Sequence, residues 1–143
     1  MTLFETPRTI GWGIALIRIM VGIVFVMHGG QKLFIYGVSG VASSMEQMGM
    51  PVPMVSAVLA SFAEFFGGLF MLLGLFARIA AIPLAFVMFV AITTVHISQG
   101  FFLPGGFEYA LTLLITNIGL ILTGAGELSL DHYIAHRRVL RHA

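Results

Sequence analysis

The stretch "LASFAEFFGGLFMLLGLF", residues 59–76, decides the fold of this protein. Every residue in it is apolar or small except Ser61 and Glu64. About 20 helical residues cross the roughly 30 Å hydrocarbon core of a bilayer, so the stretch predicts a membrane span. A carboxylate near the middle of such a span is costly, and Glu64 therefore predicts either a buried partner or a functional site.

The composition of the whole chain agrees with a membrane protein. Of its 143 residues, 59% are hydrophobic and 9% are charged, whereas a soluble domain has about 25% charged residues. Cysteine is absent, which excludes disulfides, thiolate metal sites and iron–sulfur ligation by this chain. Basic residues are scattered and the net charge is +1, so the sequence predicts no nucleic-acid partner.

Four apolar stretches are long enough to cross a bilayer as helices. The sequence predicts an all-α fold, a four-helix transmembrane bundle that forms one domain over residues 1–143. The predicted spans cover about 10–34, 54–77, 79–98 and 108–126. In the connection after span one, Val41, Met45 and Met48 recur at helical spacing ahead of two prolines, which predicts a short interfacial helix.

Basic residues predict the orientation of the bundle in the membrane. Five arginines fall at one side, while Lys32 lies towards the other side. Because basic residues are enriched in cytoplasmic segments, both termini are predicted to be cytoplasmic. The five arginines are Arg8, Arg78, Arg137, Arg138 and Arg141.

Spans one and two each carry a charged residue beside glycines. Arg18 and Glu64 are predicted to form an ion pair, because small neighbouring residues let two helices approach closely around it. Such a pair would either fix the helix register or take part in chemistry, and the pattern leaves both open. The glycines predicted to pack the helices are Gly22, Gly29, Gly67, Gly68 and Gly74.

The outer half of the bundle carries more polar residues. They are predicted to line a cavity that serves as a ligand and proton site, or else to be hydrogen-bonding groups between helices. These residues are His28, Gln31, Lys32, Glu64, His96 and Glu108. Methionines and phenylalanines would form its apolar walls, or simply pack or face lipid; they are Met20, Met27, Met71, Met88, Phe25, Phe89, Phe101 and Phe102. His28, His96 and Glu108 do not have the HxxxH or ExxH spacing of metal ligands, so no metal site is predicted from them.

The segment "GAGELSLD", residues 124–131, follows span four. Gly124 and Gly126 can end that helix in a tight turn. Ser129 or Asp131 can cap a short C-terminal helix over about 130–141. That helix is predicted to lie on the cytoplasmic surface.

Six pieces of the chain, in order, resemble the DoxX family of small bacterial membrane proteins. They are "RIMVGIVFVMHGGQKLF" (18–34), "GMPVP" (49–53), "AEFFGGLFMLLGLFAR" (63–78), "HISQGFF" (96–102), "GGFEYA" (105–110) and "GAGELSLD" (124–131). The resemblance implies a four-span bundle in the bacterial plasma (inner) membrane with a redox-linked or oxidant-defence role. The family motifs carry over to Arg18, His28, Gly29, Lys32, Glu64, Gly67, Gly68, His96, Glu108 and Asp131.

The leading functional hypothesis is therefore a membrane subunit of a quinone-linked oxidoreductase or quinone-detoxification system. His28 and His96 would donate hydrogen bonds to a quinone, Glu64 and Glu108 would move protons, and Arg18 would keep Glu64 ionised. No covalently bound cofactor is predicted, so a soluble redox partner would have to supply the electrons. Two alternatives are a non-enzymatic scaffold or maturation factor for a soluble redox enzyme, and a small-molecule carrier. The carrier would need a homo-oligomer, and the exposed glycine and methionine faces permit a homodimer.

Overall fold

Helices make up nearly all of the folded chain. The structure, a computed structural model, describes residues 7–142, and the side chains of residues 8–137 within them. This part of the chain contains no strand. The α-helices are α1 (Pro7–Gly30), α2 (Gly37–Gln47), α3 (Pro53–Leu73), α4 (Ala77–Ala91), α5 (Glu108–Thr123) and α6 (Leu130–His142). A π-helical segment, Gln31–Tyr36, joins α1 to α2, and a second, Ile92–His96, followed by a 3-10 turn, Ile97–Gln99, extends α4.

Three of the described helical stretches are long and apolar enough to cross a membrane. They are Arg8–Gln47, Pro53–Leu73 and Ala77–Gln99. The predicted fourth span corresponds to α5, which has 16 residues and is about 24 Å long at 1.5 Å per residue. The chain thus has three to four apolar helices that could cross a membrane, and the last of them is short for a full crossing.

Glycines bring the backbones of α1 and α3 into direct contact. A Cβ atom at Gly22 would lie 2.8 Å from the backbone nitrogen of Leu72, and one at Gly68 would lie 2.6 Å from that of Val26. Gly29 faces the α3 backbone still more closely. Any side chain at these positions would have to push two helix backbones apart, so glycine is required for this packing.

Small residues also allow α4 to pack tightly on its neighbours. Gly67 of α3 faces the side chain of Leu84, to which an added Cβ would approach within 3.0 Å. One cluster of buried residues joins α1, α3, α4, α5 and the segment that follows α5; it contains Val21, Phe25, Met71, Ala77, Ala80, Ala81, Leu84, Met88, Ala110, Leu113, Leu120 and Ala125. The four longest helices therefore share a single core.

Helix α2 occupies the position of the predicted interfacial helix, but it packs on the bundle. Gly37, with a φ of +69°, interrupts the helical path before it. Val41 and Ala42 are buried against Ala57 of α3, with Met45 beside them. The apolar stripe that suggested membrane contact is therefore at least partly used in packing against α3.

Arg18 is fully buried and is bound by backbone carbonyl groups. Its guanidinium donates to the carbonyl oxygens of Met71 and Leu72 at the end of α3, the latter at 3.0 Å. It also donates to Ala125 at 2.8 Å and to Leu128 at 2.9 Å. The planar group with five N–H donors can satisfy several acceptors at once, so one side chain ties α1 to α3 and to the chain after α5.

The segment 124–131 closes this end of the bundle. Gly124 and Gly126 have φ values of +88° and +69°, and α5 ends just before them, at Thr123. The hydroxyl of Ser129 accepts a hydrogen bond from the backbone of His132 at 3.1 Å, which caps α6.

Asp131 has a different role from the predicted cap of α6. Its carboxylate accepts hydrogen bonds from the backbone N–H groups of Phe76 and Ala77, at 2.8 and 3.1 Å, where α4 begins. The backbone N–H of Glu127 donates to Gly11 of α1 at 3.0 Å. We call this set of contacts around Arg18 and 124–131 the arginine end. Of the five predicted topology residues, Arg8, Arg78 and Arg137 have described side chains, whereas those of Arg138 and Arg141 lie outside the described residues.

Candidate functional site: a cavity beside a buried ion pair

Glu64 pairs with Lys32. The ammonium nitrogen of Lys32 lies 2.5 Å from Oε1 of Glu64. The Glu64 side chain is 2% exposed and that of Lys32 is 25% exposed. The second carboxylate oxygen, Oε2, is buried and has no hydrogen-bond partner among the described residues. The site therefore contains a desolvated carboxylate with a hydrogen-bond partner, among the described residues, for only one of its two oxygens.

The predicted Arg18–Glu64 ion pair is wrong, and the helix register explains why. Helices α1 and α3 run antiparallel, with Gly22 level with Gly68 and Lys32 level with Glu64. On this register Arg18 lies at the end of α3, about two helical turns beyond Glu64. The sequence-based depth estimate placed the two charges closer together than the close glycine packing allows.

A cavity of about 950 Å³ opens next to the ion pair. Residues of α1, α2, α3, α4, both π-helical segments and the start of α5 line it. Five of the six predicted site residues are among them: His28, Gln31, Lys32, Glu64 and His96. The structure therefore brings together residues that lie far apart in the sequence.

Glu108 is the predicted site residue that does not line the cavity. Its Oε1 atom accepts a hydrogen bond from the backbone N–H of Leu103 at 2.8 Å, and its own backbone N–H donates to Phe101. Glu108 begins α5, so its carboxylate organises the preceding loop instead of facing a ligand. Its predicted place in the lining of the cavity is wrong.

His96 lines the cavity with one ring nitrogen already bound. Its Nδ1 atom lies 2.8 Å from the carbonyl oxygen of Gly105. A carbonyl oxygen can only accept, so Nδ1 carries the hydrogen. In the neutral ring, Nε2 then has a free lone pair.

Two tyrosines of the cavity were missed from the sequence. Tyr109 lies beside His28, with ring centroids 6.3 Å apart, and Tyr36 accepts a hydrogen bond from the Gln31 amide at 2.9 Å. Gln31 and Tyr36 are five residues apart and would diverge on an α-helix, but the π-helix between them brings them together. No sequence signal for that π-helix was recognised.

The apolar walls differ in part from the prediction. Phe25 and Met88 line the cavity as predicted, and Met71 belongs to the core instead. The remaining predicted wall residues are exposed side chains that do not line it, namely Met20, Met27, Phe89, Phe101 and Phe102. Their places are taken by residues of α2, the loop after it and α4, including Met45, Met48, Met50 and Phe86. Where the structure describes side chains, no three His, Asp or Glu residues are grouped so that they could hold a metal ion.

Comparison with known proteins places the chain in a family. The family model named DoxX matches residues 13–97. The chain belongs to the DoxX family. The matched DoxX region contains Arg18, Lys32, Glu64 and His96, whereas Glu108 and Asp131 lie beyond it. DoxX membership together with the apolar helices makes this an integral membrane protein.

Three relatives support the DoxX assignment over most of the chain. The Bacillus subtilis (strain 168) protein named "Putative oxidoreductase CatD" is 34% identical over 122 residues, covering 85% of this chain and 87% of the relative. The Mycobacterium tuberculosis membrane protein Rv3486 is 33% identical, covering 85% and 80%. A Haemophilus influenzae protein without an assigned function is 30% identical, covering 83% and 88%. No solved structure matches this DoxX chain.

Proposed function

We propose that this DoxX protein is the membrane-embedded, quinone-binding component of a redox or oxidant-defence system, with its ligand in the cavity. The observation that carries the proposal is the Lys32–Glu64 ion pair in the wall of an otherwise largely apolar cavity of about 950 Å³. Small-molecule sites are typically apolar clefts of roughly 300–1,000 Å³ with a few converging polar groups. A quinone matches such a site, since it combines an apolar ring and tail with two polar oxygens.

The ion pair suits a ligand that carries oxygen atoms. Lys32 uses one of its three N–H donors on Glu64 and can offer another to a ligand oxygen. Glu64 holds the ammonium in place and is itself a group that can exchange a proton. Quinone reduction takes up protons with the electrons, so a carboxylate beside the ring is chemically appropriate.

The electrons would come from another protein. None of the sequence motifs for flavin, haem or cluster binding is recognisable in this chain, so it is proposed as a binding subunit that works with a soluble redox enzyme. The name of the Bacillus subtilis relative, an oxidoreductase, supports a redox role in general and says nothing about quinones.

We place the protein in the bacterial inner membrane with the arginine end in the cytoplasm. Arg8 and Arg78 are the second residues of α1 and α4, and the contacts of 124–131 join the starts of both helices to α6, which carries Arg137. The chain has no cysteine, so a single introduced one reports its own side of the membrane. His136→Cys should be protected from an impermeant thiol reagent in intact cells and Gln99→Cys should react; the opposite pattern would reverse the orientation.

Ligand binding is tested with purified protein in nanodiscs and short-tailed benzoquinone and naphthoquinone probes. The wild type should bind saturably, and Glu64→Gln should weaken binding at least tenfold. Ala63→Phe should do the same by filling the cavity that Ala63 lines, without touching a charge. Glu46→Gln, the same chemical change on the exposed side of α2, is the matched control and should bind like the wild type.

Two outcomes would contradict the proposal. Absence of saturable binding to the wild type would remove the quinone site. Unchanged binding in Ala63→Phe, in a protein with wild-type thermal stability, would show that the ligand lies elsewhere.

A further inference from the structure

The polar groups that line the cavity differ in whether they donate or accept hydrogen bonds. Nδ1 of His96 is committed as a donor to the carbonyl of Gly105, 2.8 Å away. The neutral ring therefore offers only the lone pair of Nε2, which has no donor among the residues that the structure describes. His96 thus presents an acceptor in the cavity that it lines, contrary to the donor role predicted from the sequence.

Glu64 supplies a second acceptor. Its Oε1 atom is paired with Lys32, whereas Oε2 is buried without a partner among the described residues. An ionised carboxylate has no hydrogen to donate. A buried acceptor that lacks a donor is unfavourable, so a ligand whose donor displaces the groups covering Oε2 and reaches it gains more than one that brings another acceptor.

The oxidised and reduced forms of a quinone differ in this property. A quinone oxygen can only accept, so it can pair with Lys32 but not with Nε2 of His96 or with Oε2 of Glu64. A quinol hydroxyl both donates and accepts, and can therefore pair with any of the three groups.

We propose that the cavity selects its ligand by redox state and binds a hydroxyl-bearing aromatic ring, such as a quinol, more tightly than the corresponding quinone. This inference rests on the proposed function, because it concerns the same cavity. The expected preference is about tenfold, which corresponds to roughly 1.4 kcal/mol. By linkage, a tenfold preference for the reduced form raises the midpoint potential of the bound two-electron couple by about 30 mV.

The experiment compares four probes that share one ring and one short tail, in nanodiscs that contain the purified protein. They are the hydroquinone, its monomethyl ether, its dimethyl ether and the quinone, which carry two, one, no and no hydroxyl donors. The ethers do not interconvert with the quinone, so donor count is separated from redox chemistry. Affinity should fall in the order hydroquinone, monomethyl ether, then the dimethyl ether and the quinone together.

Variants at His96 test whether this residue causes the preference for the hydroquinone. His96→Phe removes the acceptor and should reduce the hydroquinone-to-quinone affinity ratio from about tenfold to no more than threefold. His96→Gln keeps one donor for Gly105 and one acceptor for the ligand, and should retain most of the ratio. Thr93→Val is the control, because its hydroxyl donates to backbone carbonyls within α4 and it does not line the cavity.

The outcomes distinguish this inference from the proposed function. If all four probes bind equally, or the quinone binds most tightly, the cavity binds quinones but does not select the reduced form, and the inference is overturned. A ratio that persists in His96→Phe would overturn the assigned role of Nε2. If no probe binds the wild type, the proposed function fails and the inference fails with it.

Discussion

The two ends of the bundle differ in how completely the protein satisfies a buried charge. At the arginine end, Arg18 is completely buried and its guanidinium is bound by four carbonyl groups of the protein itself. At the end that holds the cavity, Glu64 is also buried, but one of its oxygens has no partner among the described residues and its counter-ion, Lys32, is a quarter exposed. Polar contacts therefore compensate for the desolvation of the buried ion fully at one end and only partly at the other.

We interpret this difference as one between a structural charge and a ligand-binding charge, whereas the sequence suggested that Arg18 and Glu64 pair with each other. A buried ion that the protein satisfies completely has little left to offer a ligand, and it stabilises the fold. A buried ion with an unused atom beside a cavity is unfavourable for the empty protein, so its presence favours a binding role. Substitutions at each end test this division.

Replacing Arg18 should be the most damaging single change. Arg18→Leu removes a donor from four carbonyl groups. The carbonyl of Met71 keeps a backbone N–H donor, whereas those of Ala125 and Leu128 lie outside helices. We expect a loss of about 3 kcal/mol or more of unfolding free energy, measured by reversible unfolding in mixed micelles. Arg8→Leu, at an exposed position, is the control and should change stability by no more than about 0.5 kcal/mol. A mild effect of Arg18→Leu would mean that the carbonyl groups find other donors.

The next largest loss of stability is expected at the glycine contact between α1 and α3. Gly68→Ala places a methyl group 2.6 Å from a backbone nitrogen of α1 and should cost about 2 kcal/mol, within the range for overpacking. Gly119→Ala is a matched control in another helix, where the added atom meets nothing within 4 Å. It should stabilise the protein by about 0.5 kcal/mol, because alanine favours helix. Equal effects of the two changes would contradict the close contact of α1 and α3.

Asp131 should contribute less, since it satisfies only two backbone groups. Asp131→Ala removes the acceptor for Phe76 and Ala77 at the start of α4 and should cost about 1–2 kcal/mol, as for other helix caps. Glu46→Ala removes an exposed carboxylate and serves as the comparison. The contacts between α4 and 124–131 can be followed by hydrogen exchange at the Phe76 and Ala77 amides, which should speed up only in the Asp131 variant.

The ion pair of the cavity should show the smallest effect on stability and the largest on binding. Replacing both partners, Lys32→Met with Glu64→Leu, should change unfolding free energy by no more than about 1 kcal/mol, and in either direction, because apolar pairs often replace buried ion pairs without loss. Quinone binding should be abolished. A double variant destabilised as strongly as Arg18→Leu would mean that the pair is structural and that the two ends do not differ.

Much of this fold was predictable from composition and periodicity. The apolar stretches, the turn after Thr123 and the glycine faces of spans one and two follow from local sequence, since each depends on residues a few positions apart. The packing partner of α2 was less predictable. Its apolar stripe, with Val41 and Met45, is the same whether the helix faces lipid or α3. The pattern alone does not choose between those neighbours.

The errors at the site concern relations between helices. Arg18 and Glu64 were assigned to each other because both are charged and lie on glycine-rich faces, but the register that separates them is set by how far α1 slides along α3. Glu108 was assigned to the cavity by depth, although the loop before α5 needed its carboxylate. Tyr36 was overlooked because α-helical spacing does not place it beside Gln31.

The position of Arg18 in the chain also bears on how the protein is made. Arg18 belongs to the first helix, whereas two of its carbonyl partners, at Ala125 and Leu128, follow it by 107 and 110 residues and are therefore synthesised much later. Until the segment after α5 has been made, the guanidinium lacks two of its four carbonyl partners. Truncation before residue 125 should therefore weaken the packing of α1 against α3, even though both helices are present in the shortened chain.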